Sequence, residues 1–309
     1  MKVSIFGGSG FVGDYLIREL VNKGHDVYAL VRYGNQDKIM EKNKIKIITG
    51  DIDNPTAMEQ TMMNTEAIIY NIGIIREYRS KGITFEKLHY QGLKKCVDMA
   101  KKLNIKRFVL MSANGVCENG TGYQSTKFRA EEYLKNSGLD WTIFRPSLIF
   151  GDSNGKQEFC KQLRDDMLSL PFPAPLFFEG LNIFSAGKFK MSPIHVKDVS
   201  QIFIKSLSLK ASYGNIYELG GKDLTWKSIV KIIANASDKM EKMFVPAPVF
   251  AVKAMATLFG GLLPISKGQI TMLMEGNVCE SDETFKLFEI ETPIEFNEEN
   301  LSYLNNAKK

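Results

Sequence analysis

The first thirteen residues restrict the fold more than any other segment. Val3-Ser4-Ile5-Phe6 is an apolar run of strand length, and it ends at Gly7-Gly8-Ser9-Gly10-Phe11-Val12-Gly13. Val12, Leu16, Leu20 and Val21 then recur at helical spacing until Gly24, a left-handed C-cap. A strand, a glycine turn and a helix in immediate succession open a βαβ unit, the setting in which such a turn is informative. Gly7 permits the tight turn, Gly10 lets backbone approach a pyrophosphate, and Gly13 allows close packing of the helix. Ser9, Phe11 and Val12 complete the turn, and the helix N-terminus offers N–H groups and the positive end of its dipole to phosphate. The spacing is Gly-x-x-Gly-x-x-Gly, one residue longer between the first two glycines than in ordinary dehydrogenases.

Further strands follow at Val27 to Val31, at Ile45 to Ile48 ending in Gly50-Asp51, at Ala67 to Tyr70, at Arg107 to Met111 and at Trp141 to Arg145. A helix spans Phe85 to Leu103. Near-continuous apolar strands alternating with helices predict an α/β fold, a doubly wound parallel Rossmann sheet covered on both faces. Residues 1–150 form the expected dinucleotide-binding domain. Residues 151–309 supply late sheet elements and a smaller, mainly helical substrate or partner region. There the sequence predicts a strand from Gly214 to Gly221, a helix from Leu224-Thr225 to Ala234, and a break of regular structure at Pro171 to Pro175 that lines the route to substrate.

Composition narrows the function classes. A hydrophobic fraction of 44% and a charged fraction of 24% are those of a soluble globular chain. The net charge of +5 is carried by scattered Lys and Arg rather than a basic stripe, which argues against nucleic acid as a partner. Cys96, Cys117, Cys160 and Cys279 lie far apart, as do His25, His89 and His195, so no metal site is expected and a reducing compartment is. The first apolar run is too short for a signal-peptide core, and the cytoplasm is the expected location. The apolar stretch Val249 to Leu263 is too short and too broken to span a membrane. It fits a helix packed on its own domain, or an amphipathic helix against a partner or the inner face of a membrane.

The end of the second strand bears on the cofactor. A carboxylate there accepts from the ribose 2′-hydroxyl of NAD, but the chain reads Leu30-Val31-Arg32, with no acid until Asp37. A guanidinium at Arg32 pairs bidentately with a 2′-phosphate, so NADP(H) is expected in preference to NAD(H). Asp51 has a local alternative, stabilising the turn before Asp53-Asn54-Pro55.

The glycine turn, with GDI at Gly50 to Ile52, FVLMSA at Phe108 to Ala113, RPSLIFG at Arg145 to Gly151 and PIHVKDV at Pro193 to Val199, resembles the extended short-chain dehydrogenase/reductase superfamily over about residues 1–225. Within it, SANGV at Ser112 to Val116, His89 and the stretch Leu263 to Val278 are most similar to the atypical branch of the nucleotide-binding accessory subunit of respiratory complex I. The resemblance implies that Asp51 sits over the adenine and that Ile52, Gly73 and Pro146 contact the cofactor. It also implies a Tyr-x-x-x-Lys pair in which lysine holds the nicotinamide ribose and lowers the tyrosine pKa for proton exchange with substrate.

That pattern occurs at Tyr90/Lys94 and at Tyr123/Lys127. Tyr123 follows the fifth strand and opens the next helix, the position the resemblance requires; Tyr90 packs its helix. The serine that would hold a substrate carbonyl is replaced by Asn114, with Ser112 two residues earlier. His89 stands where the superfamily often has a lysine-supporting asparagine, and it reads as a proton-relay member or a satisfied helix histidine.

Three functions are therefore carried forward. The leading one is an NAD(P)(H)-binding protein of the epimerase/dehydratase type, an NADP(H)-dependent oxidoreductase or epimerase acting on a carbonyl or sugar-like small molecule through Tyr123 and Lys127. A second is a non-turnover accessory subunit or assembly factor of a quinone-linked respiratory complex. The third is a soluble nucleotide sensor.

Overall fold

The computed structural model describes residues 1–237, 242–258 and 266–305. The chain divides into two compact units, the first made of residues 1–146, 196–218 and 282–291 and the second of 147–195, 219–281 and 292–309.

The first unit is built on a seven-stranded sheet. Its elements are β1 (Lys2–Phe6), α1 (Phe11–Asn22), β2 (Asp26–Val31), β3 (Lys46–Thr49), α2 (Pro55–Met62), β4 (Ala67–Tyr70), α3 (Gly92–Lys102), β5 (Arg107–Met111), α4 (Gly122–Lys135) and β6 (Asp140–Pro146). The sheet order is Asn215–Leu219, β6, β5, β4, β1, β2, β3. The pairs from β3 through β6 are parallel, with Val3 opposite both Val27 and Ala67. The expected doubly wound sheet is present, and its strand order reverses between β1 and β4. Ligands bind at such a switch point, outside the carboxyl ends of the strands.

Burial explains the continuous apolar strands. Phe6, Ile68, Phe108 and Ile143 are fully buried on one face, with Leu93 and Val97 of α3. On the other face Phe144 meets Phe203 at 4.5 Å and Phe288 at 5.7 Å. Arg107, at the start of β5, is buried among polar atoms rather than acids. It donates to Asp140 O (2.8 Å), Thr142 Oγ1 (2.8 Å) and Ser206 O (2.7 Å), and lies over the Tyr213 ring at 4.2 Å. Burial lowers its pKa to about 10, which still leaves it charged.

The helix predicted over Phe85 to Leu103 is two elements, a π-helical stretch at Glu86–Gln91 and then α3. The cause is tertiary. Tyr70 at the end of β4 donates its hydroxyl to Leu88 O at 2.6 Å, drawing that carbonyl toward the sheet. Gly92 makes the approach possible, since a Cβ there would lie 2.5 Å from the Tyr70 hydroxyl. π turns of this kind often mark functional sites, and this one carries His89.

In the second unit, Trp226 is buried against Phe189 (5.6 Å, stacked) and Phe177, and its indole N–H donates to Pro175 O at 3.1 Å. The helix predicted to begin at Leu224-Thr225 begins one residue later and runs Trp226–Ala236, with Thr225 as its N-cap accepting from Ser228 N–H. The proline segment departs further from expectation, because Ala174–Phe178 is a strand paired in parallel with Phe244–Pro248. Proline is tolerated in a two-stranded pair where no central ladder needs its missing N–H. Val249–Leu258 is helical, with Val249 buried and Phe250 exposed. The remainder of the apolar stretch, residues 259–263, lies outside the described residues, as do residues 264–265.

Replacing Arg107 by Met should lower the unfolding free energy by about 2–4 kcal/mol, because three buried acceptors lose their donor together. Urea denaturation followed by circular dichroism measures this. A loss within error of zero would mean that the guanidinium is not the clasp between β5, β6 and the helix Val196–Ser206.

Candidate cofactor and active site

The glycine turn lies at the switch point. Gly7 has φ +91° and a Cβ there would be 2.7 Å from Asn71 O, so the turn after β1 runs directly against the chain leaving β4. Gly13 is required more strictly. A Cβ on it would lie 2.1 Å from Gly7 O and 2.7 Å from Gly8 Cα, so it serves packing of α1 on the turn rather than on the sheet face. Gly10 differs from both. Its N–H donates to Gly7 O at 3.2 Å, and a Cβ would meet only that same oxygen, at 3.4 Å. Its side is open, and as N-cap of α1 it provides no side-chain cap. The first-turn N–H groups around Phe11 and Val12 therefore retain their capacity for an external anion. This cradle fits a dinucleotide pyrophosphate, with Ser9 in the turn beside it.

At the far end of the cradle, Arg32, Tyr33, Thr49, Asp51, Asp53 and Asn54 line an open pocket of about 710 Å³. Arg32 is exposed, and its guanidinium makes no ion pair among the described residues. Asp51 does hold the local turn, accepting Asp53 N–H at 2.7 Å on Oδ1, and it still faces the pocket. The local-turn reading of Asp51 is therefore observed, and its place on the pocket leaves it available to a ligand there. Ile52 is buried with its side chain toward α3, where a Cβ on Gly92 would come within 2.9 Å of it.

The other end is organised by α4. Thr121 caps it in a full capping box with Gln124, and this sets the start of the helix one residue before Tyr123. The Lys127 ammonium donates to Met111 O at 3.2 Å and lies 5.6 Å from the Tyr123 ring centroid. Gly73 lies beside it, since a Cβ on Gly73 would stand 3.8 Å from Nζ. The structure thus brings Gly73, Tyr123 and Lys127 together beyond β4 and β5. Burial lowers the Lys127 pKa to about 8, opposed by the charge of Glu131, and burial raises that of the Tyr123 phenol.

Ser112 and Asn114 continue β5 alongside β6. Ser112 N–H donates to Phe144 O (2.8 Å) and Asn114 N–H to Pro146 O (2.9 Å). The Ser112 hydroxyl does not point to an open site. It donates to Glu131, a fully buried carboxylate that also accepts from Arg145 Nε at 3.0 Å and Nη2 at 2.5 Å. Pro146 is buried with its carbonyl committed to Asn114.

His89 is placed by the π turn. Its Nε2 accepts Ile74 N–H at 3.2 Å, so Nδ1 carries the proton and faces Thr126 Oγ1 at 3.1 Å. Thr126 in turn donates to Gly122 O at 2.7 Å. The ring stacks on Phe85 and stands edge-on to Tyr123, each 5.2 Å away. Burial and the Lys127 charge push its pKa down to about 2. With both nitrogens engaged and protonation opposed, His89 acts as a neutral brace between the Gly73 loop and α4. Tyr90 packs against Tyr133 at 6.3 Å and under Arg129. Glu131 is the site residue that sequence reasoning missed. Its signal was its place four residues after Lys127, one turn on along the same face.

Two outcomes follow from this geometry. Gly10→Ala should leave the melting temperature nearly unchanged but weaken NADPH binding roughly tenfold or more, measured by titration calorimetry. Gly13→Ala should instead destabilise the fold by about 1–3 kcal/mol. For His89, the unfolded state takes up a proton below pH 6.5 and the folded state does not. Its stabilising effect is therefore full above pH 6.5 and is lost as pH falls, by about 2–3 kcal/mol over two pH units. His89→Asn should flatten the pH dependence of stability in that window, and an unchanged slope would refute the neutral brace.

A family model described as NAD(P)H-binding matches residues 7–167, which contain the cradle, the Tyr123/Lys127 pair and β6. Among curated proteins, the chain is 22% identical over 255 residues to the mitochondrial NADH dehydrogenase [ubiquinone] 1 alpha subcomplex subunit 9 of Dictyostelium discoideum, covering 80% of this chain and 67% of that one. It is 25% identical over 242 residues to the 40 kDa subunit of NADH-ubiquinone oxidoreductase of Neurospora crassa, of which it spans 58% while 74% of this chain is covered. It is also 26% identical over 234 residues to the photosystem II assembly factor Ycf39 of Guillardia theta, covering 74% of this chain and 67% of that one. The fold matches that of the Bordetella bronchiseptica enzyme WbmH solved in complex with NAD+, with a TM-score of 0.73 at 16% identity over 98% of this chain and 96% of that one. With an open pyrophosphate cradle at the switch point, and a family model that covers it, the chain belongs to the NAD(P)H-binding family.

Proposed function

We propose that this chain holds NADP(H) as a retained nucleotide and serves as an accessory subunit or assembly factor of a quinone-linked respiratory complex. The observation that carries this reading is the Ser112 hydroxyl. It donates to the buried Glu131 carboxylate, itself paired with Arg145, and so the serine hydroxyl nearest in sequence to Asn114 is already engaged. The cradle, by contrast, is open at Gly10. Binding and turnover are thus separated in the same site. Relatives that carry the names of complex I subunits and of a photosystem assembly factor support a role beside a membrane redox complex.

The preference for NADP(H) rests on Arg32, an exposed guanidinium on the pocket that Asp51 also lines. A nicotinamide nucleotide there supplies hydride chemistry if a substrate reaches it; this chain's residues bind, orient and charge its surroundings. Contact with the inner face of a membrane, or with membrane-complex subunits, is assigned to Val249–Leu258, whose Phe250 ring stands in solvent. No helix among the described residues is long and apolar enough to cross a membrane.

A second reading is favoured by the proximity of Tyr123, Lys127 and Gly73, the constellation of an NADP(H)-dependent oxidoreductase or epimerase acting on a carbonyl or sugar-like compound. Mass spectrometry of the gently purified protein separates the two. Retained NADP(H) with respiratory-complex subunits, and no NADPH consumption across a panel of carbonyl compounds and quinones, supports the first. Turnover that disappears in Tyr123→Phe establishes the second. Protein that carries no nucleotide and binds neither NADPH nor NADH refutes both.

A further inference from the structure

The buried carboxylate of Glu131 has no part in the nucleotide contacts described above, yet it lies one helical turn beyond Lys127 and is fully buried. Three donor contacts reach it. Oε1 accepts from Ser112 Oγ and from Arg145 Nε, and Oε2 accepts from Arg145 Nη2. Ser112 and Lys127 both line one small cavity of about 10 Å³ with Tyr70, Ile72, His89 and Met111, while the Ser112 hydroxyl itself turns to Glu131. The other titratable groups facing Lys127 are His89 from the π turn, Tyr70 from β4 and Tyr123 from α4 itself. None of these three supplies a negative charge: His89 and Tyr123 are neutral at physiological pH, and burial keeps the Tyr70 phenol protonated. Glu131 is the acid whose charge opposes the effect of burial on Lys127, and it is ion-paired with Arg145 on β6.

We propose that Glu131 is a positioning residue that holds Lys127 in its charged form and thereby sets the pH range over which the cradle retains its nucleotide. The inference rests on the reading that a nicotinamide nucleotide seats against Lys127. An ammonium buried without an opposing charge releases its proton, and a neutral amine gives up the charge-assisted hydrogen bond to a ribose hydroxyl. The carboxylate offsets that tendency from four residues along the helix, and the Ser112 hydroxyl attenuates it by donating to the same oxygen. The two residues therefore act on Lys127 in opposite senses. Burial dominates and leaves the lysine pKa at about 8, the point at which a change in either neighbour is readable near neutral pH.

The test uses the full chain as E131Q and S112A. Lysine-selective NMR, with the Lys127 signal assigned through Lys127→Met, follows its titration directly and needs no ligand. The midpoint should fall by about one pH unit in E131Q and rise in S112A. NADPH affinity, followed by fluorescence between pH 6 and 9, should be equal in E131Q and wild type at pH 6. At pH 8 it should be about fivefold weaker in E131Q, because a midpoint lower by one unit leaves that much less charged lysine. A role in packing alone would move both variants the same way, or would change affinity equally at every pH. Lys127 midpoints unmoved by either substitution overturn the proposal, as does an affinity that ignores pH while the midpoints move. Should E131Q not fold, S112A alone decides by the direction of its shift. Wild-type protein that binds no NADPH would instead refute the nucleotide reading, and the NMR measurement then still decides whether Glu131 governs Lys127.

Discussion

Everything in the candidate site depends on one close approach, that of the α1 N-terminus to the turn after β1. Gly13 and Gly7 share a space in which a single methyl group would overlap a carbonyl oxygen. Because no methyl is there, α1 starts at once and its first turn points across the switch point between β1 and β4. Backbone N–H groups and the helix dipole then converge on the place where the sheet order reverses. Gly7 also approaches Asn71 on the chain leaving β4, whose N–H donates to Phe6 O at 2.9 Å, and two residues on Gly73 lies beside Lys127. One steric condition at the N-terminus thus reaches the opposite end of the site.

Opposing electrostatic demands shape that opposite end. Lys127 is buried, which disfavours its charge, yet it lies one turn from a carboxylate that favours it. His89 resolves a related conflict by remaining neutral, and its ring nitrogens join the Gly73 loop to α4 instead of exchanging protons with solvent. The Glu131 carboxylate is enclosed with Ser112, its partner Arg145 is partly exposed, and an ion pair of this kind contributes geometry more than stability. The polar side chains at this end are thus engaged with one another, while the glycine turn stays open at Gly10.

Parts of this arrangement were legible in the residues themselves. The parallel sheet follows from near-continuous apolar strands, and Ala67 to Tyr70 and Arg107 to Met111 begin and end where the pattern places them. The reading of Tyr90 as helix packing follows from its position before β5, and its ring does pack against Tyr133. Other parts were not legible. Nothing in Glu86 to Gln91 announces a π turn, because its cause is a tyrosine sixteen or more residues earlier that captures a carbonyl. Pro175 reads locally as a breaker, yet a partner strand seventy residues away accommodates it.

The sequence by itself determined the order of strands and helices, the glycine spacing and the residue types at the cradle, because these rest on periodicity and on local backbone freedom. Only the tertiary structure decided how each polar side chain is used. Ser112, Lys127 and Glu131 come from different elements or successive turns, and their protonation and hydrogen bonding depend on burial and on charges brought close by folding. A carboxylate four residues from a lysine is an ordinary surface pair in the sequence; enclosed beneath β5 and β6, it becomes the charge that Lys127 has to answer to.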